Sequence, residues 1–404
     1  MKRLALIIPR YGRDITGGAE RLARGFAEEA ASRGWPVEVW TTCASGHFDW
    51  ANTLSPGPDT LNGIPLIRFP ISAYDAQRRA ALEARLASQG TLPRAEQYAW
   101  LEGGPHSEAL YAHVRRHAVE FEAIIALPYA NPLVHYAAWV APEKVLLWPC
   151  LHNEPYAYME TVRLLLESVW AVAFNSPEEG QIVSKRLQLQ LVRQAVLGAG
   201  VSLPTVKKTP ASGFTSGGGR RPYLLYVGRL EAGKNLSQLY EYVRRYNLPG
   251  SQVDLLVVGQ GPLSPPRHPS FDYRGYVADS EMAALMTGAL ALCQPSLNES
   301  FSLTMMESWL AGRPALVSGA SAVTRGHVTR SKGGLWFENY DDFAAAVSWL
   351  LVNDEGANRM GRNGRHYVQA NYTWPAVVDH FARVFPLWQG EHGPVQSQRS
   401  GSRR

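Results

Sequence analysis

The feature that most limits how this chain can fold is a repeated pairing of short runs that are apolar throughout with helical or loop stretches. The runs Leu4–Ile8, Val37–Trp40, Leu66–Phe69, Ala123–Leu127, Val145–Pro149 and Trp170–Phe174 each precede such a stretch. A strand with one wet face alternates apolar and polar residues. These runs do not alternate, so they read as parallel strands covered on both faces. The segment from Pro204 to Arg220, rich in Gly, Ser, Thr and Pro, interrupts the rhythm and reads as a linker or mobile loop. The rhythm then restarts with strand candidates Tyr223–Val227, Asp254–Val258, Phe271–Tyr273, Ala289–Cys293 and Ala315–Val317. Helix candidates Leu236–Tyr246, Asp279–Thr287, Leu303–Ala311 and Asp341–Asn353 lie between and after them. Residues 358–386 read as largely helical with a break at Thr373-Trp374-Pro375, and the polar residues 390–404 as a disordered tail. The expectation is α/β: two Rossmann-like, doubly wound domains at 1–203 and 222–374, joined by a linker at 204–221. Ligands of such sheets bind at the carboxyl ends of strands, here in a cleft between two such edges.

Composition narrows the partners. The chain has 404 residues, enough for two full cores, and a net charge of +5 to which the tail contributes. That mild excess suits anionic substrates or peripheral contact with a phospholipid surface. It is too scattered for a nucleic-acid footprint. Cys43, Cys150 and Cys293 form no C-x-x-C pair, which implies a reducing, cytoplasmic setting and no structural metal. No apolar run approaches the roughly 20 residues of a membrane span.

Four loops carry candidate chemistry. Gly17 and Gly18 open the helix Ala19–Ser32, where free backbone N–H groups favour negative charge. They do not form G-x-G-x-x-G, so a dinucleotide site is not indicated, and an ordinary turn is the alternative. Arg229 and Lys234 share the loop after Tyr223–Val227, where they clamp a diphosphate or merely meet solvent. His152 follows the strand candidate ending at Pro149. Asn175 and Ser176 end the next one and either line the cleft or cap the helix from Pro177, with Glu179 completing a capping box.

The fourth loop is Asn298 to Glu307. Glu299 and Glu307 lie eight positions apart, roughly 80° from sharing a helical face. They fit one carboxylate before a helix and one on its first turns, with an anion-binding N-terminus between. Hydroxyls at both ends and phosphate in the middle would describe a nucleotide sugar. The structural alternative is Thr304-Met305-Met306-Glu307 as a capping box, with Glu299 a surface charge. Glycine-marked loops at Gly259-Gln260-Gly261 and Gly275-Tyr276-Val277 follow strands and read a base edge or are plain turns.

These pieces, in this order, resemble the retaining glycosyltransferases of the GT-B class, family 4. The most specific parts are the G-R-L-x-x-x-K-N run at 228–235 and the pair of glutamates at 299 and 307. The resemblance implies a GT-B fold whose last helix, about 375–389, returns to the first domain. It implies Glu307 on the ribose hydroxyls, Glu299 on the donor sugar, and Arg229 and Lys234 on the diphosphate. It further implies His152 facing the sugar, Gly18 approaching the diphosphate, and Ser300, Phe301, Ser302 and Leu303 binding sugar or phosphate oxygens. Gly17, Gly261, Tyr276 and Val277 complete the expected donor site. The donor expected is a UDP- or GDP-sugar, transferred to a glycan, lipid-linked or small-molecule hydroxyl with no metal and no cofactor. Ser300 and Ser302 stand where the family usually has glycine, which serves positive φ better than serine does. The loop 45–62 and the helix-rich insert 74–117 match no motif, and Arg78, Arg79, Trp100 and Tyr111 of the insert are candidates for acceptor contact or for plain surface and core. An epimerase, a phosphorylase or a silent nucleotide-sugar-binding subunit of the same architecture remains the alternative.

Overall fold

A computed structural model describes residues 3–15, 17–46, 49–202, 221–248, 250 and 252–390. The glycine-rich linker, up to residue 220, and the tail from 391 lie outside the described residues.

The first sheet contains β1 (Leu4–Ile7), β2 (Val37–Thr42), β3 (Gly57–Leu61), β4 (Ile64–Phe69), β5 (Ala123–Ala126), β6 (Val145–Leu147), β7 (Ala171–Phe174) and β8 (Gln194–Val196). The second contains β9 (Tyr223–Val227), β10 (Asp254–Val258), β11 (Phe271–Gly275), β12 (Ala291–Gln294), β13 (Ala315–Ser318) and β14 (Gly334–Phe337). The spatial orders are β3-β4-β2-β1-β5-β6-β7-β8 and β11-β10-β9-β12-β13-β14. Every pairing is parallel except β3 with β4 at the edge of the first sheet. Both orders reverse direction around their first strand, which makes each sheet doubly wound.

The helices are α1 (Gly18–Ser32), α2 (Ala76–Gln89), α3 (Arg94–Glu102), α4 (Glu108–His117), α5 (Pro132–Val140), α6 (Glu160–Ser168), α7 (Pro177–Gln181), α8 (Leu236–Tyr246), α9 (Asp279–Gly288), α10 (Leu303–Leu310), α11 (Ala322–Ser331), α12 (Tyr340–Val352), α13 (Asp354–Asn371) and α14 (Trp374–Gly390). None among the described residues is long and apolar enough to cross a membrane. All four residues of β1, β5, β7, β12 and β13 are buried, as unbroken apolar runs require when helices cover both faces.

The parallel strands appear where the apolar runs stand. The departures are elements without that signal. The stretch read as a loop at 45–62 ends in β3, whose sequence Gly-Pro-Asp-Thr-Leu is polar because it is an exposed edge strand. Strands β8 and β14 and helices α5, α6 and α11 likewise carry no distinct signal in the sequence.

One apolar cluster is continuous between the two sheets, running from Leu4, Phe26 and Leu197 through Phe301 and Tyr372 to Leu225. Helix α14 packs on the first sheet's helix α1, with the Phe381 ring edge-on to Phe26 at 5.1 Å. A Cβ on Gly25 or Gly200 would overlap the Trp374 indole, so both glycines are required by that contact. The Val201 N–H donates to the Tyr372 carbonyl at 2.8 Å, and Val201 and Thr373 form a parallel bridge. Val201 of the first half is therefore bonded beside the segment where α13 leads into α14.

Candidate active site between the two sheets

Strand β12 ends at Gln294, and residues 295–302 lead into α10. Ser302 takes φ 73° and ψ 76°, the left-handed region that favours glycine, whereas Ser300 does not. The Ser302 hydroxyl accepts from Gln294 Nε2 at 3.2 Å, and the same nitrogen lies 3.4 Å from Glu299 Oε1. The buried Gln294 thus ties the strained serine to the glutamate in front of it.

Helix α10 begins at Leu303, so Thr304 lies inside the first turn and cannot be its cap. This corrects the capping-box reading of 304–307. Glu307 instead pairs with Arg21, which α1 brings from the first sheet.

Glu299 is not a surface charge either. Its side chain is 10 % exposed and its Oε1 accepts from Lys234 Nζ at 2.7 Å. Burial pushes its pKa up, but Lys234, His152 and Ser296 outweigh burial and hold it below the ordinary glutamate value. The carboxylate is ionised in a largely dry setting.

Lys234 ends a single turn of tight helix, residues 232–234, after which Asn235 takes φ 54° and starts α8. Arg229, on the same loop, is half-exposed and lies 3.2 Å from Glu231. The Tyr226 hydroxyl pins this loop by donating to the Arg229 carbonyl at 2.8 Å. A Cβ on Gly259 or Gly261 would overlap the carbonyls of Gly228 or Leu230. These glycines let two loops meet backbone to backbone, and Leu230 N–H donates to the Gln260 carbonyl at 3.0 Å. Beyond β11, Tyr276 is 69 % exposed while Val277 is buried in the core.

The first sheet supplies the facing wall. Gly17 precedes α1, and the Glu20 carboxylate occupies the space a Cβ there would need. Open space surrounds the Cβ position of Gly18. Arg10 holds Glu20 at 2.5 Å. His152, after β6, has Nδ1 3.5 Å from Glu154 Oε1, and that oxygen accepts from the Tyr129 hydroxyl at 2.8 Å. A cavity of about 270 Å³ opens between the sheets, with Asn153, Glu178 and Lys185 on one side and Asn298, Glu299 and Ser321 on the other. Glu178 also bridges to Arg330 of α11 at 2.6 Å.

Asn175 and Ser176 serve structure. Ser176 accepts from Glu179 N–H at 3.3 Å as the cap of α7. Asn175 accepts from Trp148 Nε1 at 2.8 Å and donates to Cys150 Sγ at 3.3 Å. Glu179 is wholly buried, and burial pushes its carboxyl up to about 8 against the opposing backbone donors of Asn175, Leu151 and Ser176. The insert's acceptor candidates are corrected in part. Arg79 stacks 3.9 Å over the Trp100 ring and bonds Glu83 at 2.9 Å, and Trp100 and Tyr111 lie in the core. Arg78 remains exposed on α2.

Sequence reading missed Arg21, Glu154 and Gln294. Glu154 stands two positions after His152, which is a usable signal. Nothing in the sequence links Arg21 to a residue 286 positions away.

Residues 216–367 match the family model "Glycosyl transferases group 1". The trehalose synthase of Rubrobacter xylanophilus is 26 % identical over 182 residues, 41 % of this chain and 43 % of that protein. The MMP α-(1→4)-mannosyltransferase of Mycolicibacterium hassiacum is 30 % identical over 114 residues, 27 % of each chain. The chain therefore spans less than half the length of these curated relatives. In three dimensions it resembles sucrose-phosphate synthase from Thermosynechococcus elongatus, with TM-score 0.70 and 19 % identity over 96 % of this chain and 100 % of that one. The second sheet's half therefore carries the match to the glycosyl transferases group 1 model, while the whole chain shares the two-sheet, GT-B type fold of its structural neighbours.

Proposed function

We propose that this protein transfers a sugar from a nucleoside-diphosphate sugar, UDP- or GDP-linked, to an acceptor hydroxyl with retention of configuration and without a metal. The observation that carries this reading is the buried pairing of Lys234 with Glu299 beside His152, at the carboxyl edges of two facing sheets. A cation held 2.7 Å from an ionised carboxylate suits a ligand with phosphate next to hydroxyls, because each group then has a partner of its own.

In this reading Lys234 and Arg229 bind the diphosphate and offset its growing charge as it leaves, which is the work a metal would otherwise do. Glu299 accepts from hydroxyls of the donor sugar, and Glu307 from those of the ribose. Backbone N–H groups at the start of α10, around Phe301 to Leu303, meet the remaining oxygens. Gly18 leaves room for the diphosphate on the first-sheet side, and Tyr276 offers an exposed ring near the base. Three free cysteines accord with a cytoplasmic setting, at or near an anionic surface.

The test is a thermal-shift screen with UDP-, GDP- and ADP-sugars. One donor series should raise Tm by mass action, and the donor should be consumed only when an acceptor hydroxyl is present. No shift with any nucleotide would overturn the reading, and conversion of the donor alone would make the protein an epimerase.

A further inference from the structure

Four charged or titratable groups meet at the centre of the cleft, two from each sheet: His152 and Glu154 from the first, Lys234 and Glu299 from the second. They sort into pairs within their own halves. Lys234 holds Glu299 at 2.7 Å, and Glu154 faces His152 Nδ1 at 3.5 Å. Tyr129, buried behind them, donates its hydroxyl to the same oxygen of Glu154 at 2.8 Å. His152 also helps hold Glu299 below the ordinary glutamate value.

We propose that Glu154 is a positioning residue that takes the Nδ1–H of His152 and so presents an unprotonated Nε2 to the cleft, ready to accept a hydrogen bond from a donor-sugar hydroxyl. The last step rests on the glycosyltransferase reading; the tautomer does not. An imidazole is directed by the partner of its other nitrogen, and a carboxylate there fixes both tautomer and ring orientation. Glu154 is equipped for this. Burial works against its charge, but His152, the Tyr129 hydroxyl and Lys234 together hold its carboxyl below the ordinary value. With Glu154 engaged, the imidazole does not need Glu299, and that carboxylate stays with Lys234 and the sugar. The spacing of two residues places Glu154 on the short turn after His152, where Pro155 and Tyr156 begin a tight helical turn.

The experiment is nitrogen-15 spectroscopy of the ring nitrogens in histidine-labelled full-length protein at pH 8.5, with the His152 signals assigned through H152Q. Wild type should show a protonated Nδ1 and an unprotonated Nε2. E154A should move His152 toward the other tautomer, and Y129F should move it partway. A wild-type ring protonated on Nε2, or an unchanged tautomer in folded E154A, overturns the proposal. If E154A does not fold, an unchanged ring in Y129F does the same. In turnover, E154A should lose on the order of 100-fold in kcat, as misplaced catalytic groups do, while binding UDP or GDP within about twofold of wild type. Failure of every nucleotide to bind removes the glycosyltransferase reading and leaves the tautomer result standing on its own.

Discussion

The cleft edges of the two sheets do the same structural job with different materials. The second sheet is wholly parallel, and its short loops draw Lys234, Gln294, Glu299 and Ser302 into one bonded cluster. The first carries an antiparallel edge and a three-helix insert, and it offers the cleft Gly17, Gly18, Arg21, His152 and Glu154. Their buried carboxylates differ too. Glu299 is kept ionised by a lysine, whereas Glu179 has no cation partner among the described residues and burial pushes it up to about 8. Lys234 lies seven residues beyond the end of β9 and Glu299 five beyond the end of β12, so the hydrogen bond between them, as well as the strands, fixes their distance. The family match follows the same division, covering 216–367 and leaving the first sheet unmatched.

Four measurements break or sharpen this contrast. The strongest is Lys234→Ala, which should lower kcat on the order of 100- to 1,000-fold, as loss of one preorganised charge does. Turnover with a confirmed donor that survives this change would remove the chemistry from the second sheet. Next is Glu179→Gln, which probes the buried carboxylate of the first half. The folded carboxyl, near 8, binds its proton more tightly than the unfolded one, near 4.5. Stability from this site is therefore full below about pH 4.5 and lost as pH rises through 8. Urea unfolding should show the variant matching wild type at pH 5 and exceeding it at pH 9 by on the order of 4 kcal/mol. Equal stability at both pH values would mean that Glu179 is ionised in the folded chain. Third, Arg21→Ala removes the ion pair that joins the halves at Glu307. Because Arg21 is partly exposed, the cost should be about 1 kcal/mol or less, with a slightly larger radius of gyration by X-ray scattering. The smallest effect belongs to Ser302→Gly. It relieves a positive φ and forfeits the Gln294 bond, so the change in stability should stay within about 1 kcal/mol. A loss well above that would make the hydroxyl the dominant element of the loop.

The fold was legible because buried parallel strands announce themselves as unbroken apolar runs, and Leu4–Ile7 and Tyr223–Val227 are examples. Polar edge strands carry no such signal, and β3 was read as loop. In the site, the sequence located the loops of Lys234 and Glu299 but not their contact, since 65 positions separate them. The serine replacements raised the question of positive φ, and only the backbone shows that Ser302 bears it and Ser300 does not. The capping-box reading of Glu307 failed because one residue decides where a helix starts. Arg79 and Trp100, open between acceptor contact and plain surface or core, are each other's partner, a stacking that spacing along the chain does not reveal.

The side-by-side bonding of Val201 with Tyr372 and Thr373 has a mechanical consequence. The return of the chain at 372–374 is thereby fastened to the edge of the first half, like a hinge on its jamb. Relative motion of the halves is then a swing about that edge, with little freedom to slide. Residues near the jamb, such as Phe301 against Tyr372 at 5.0 Å, would hardly move. The Arg21–Glu307 ion pair also joins the halves, so a rotation about that edge that parts Arg21 from Glu307 would break it.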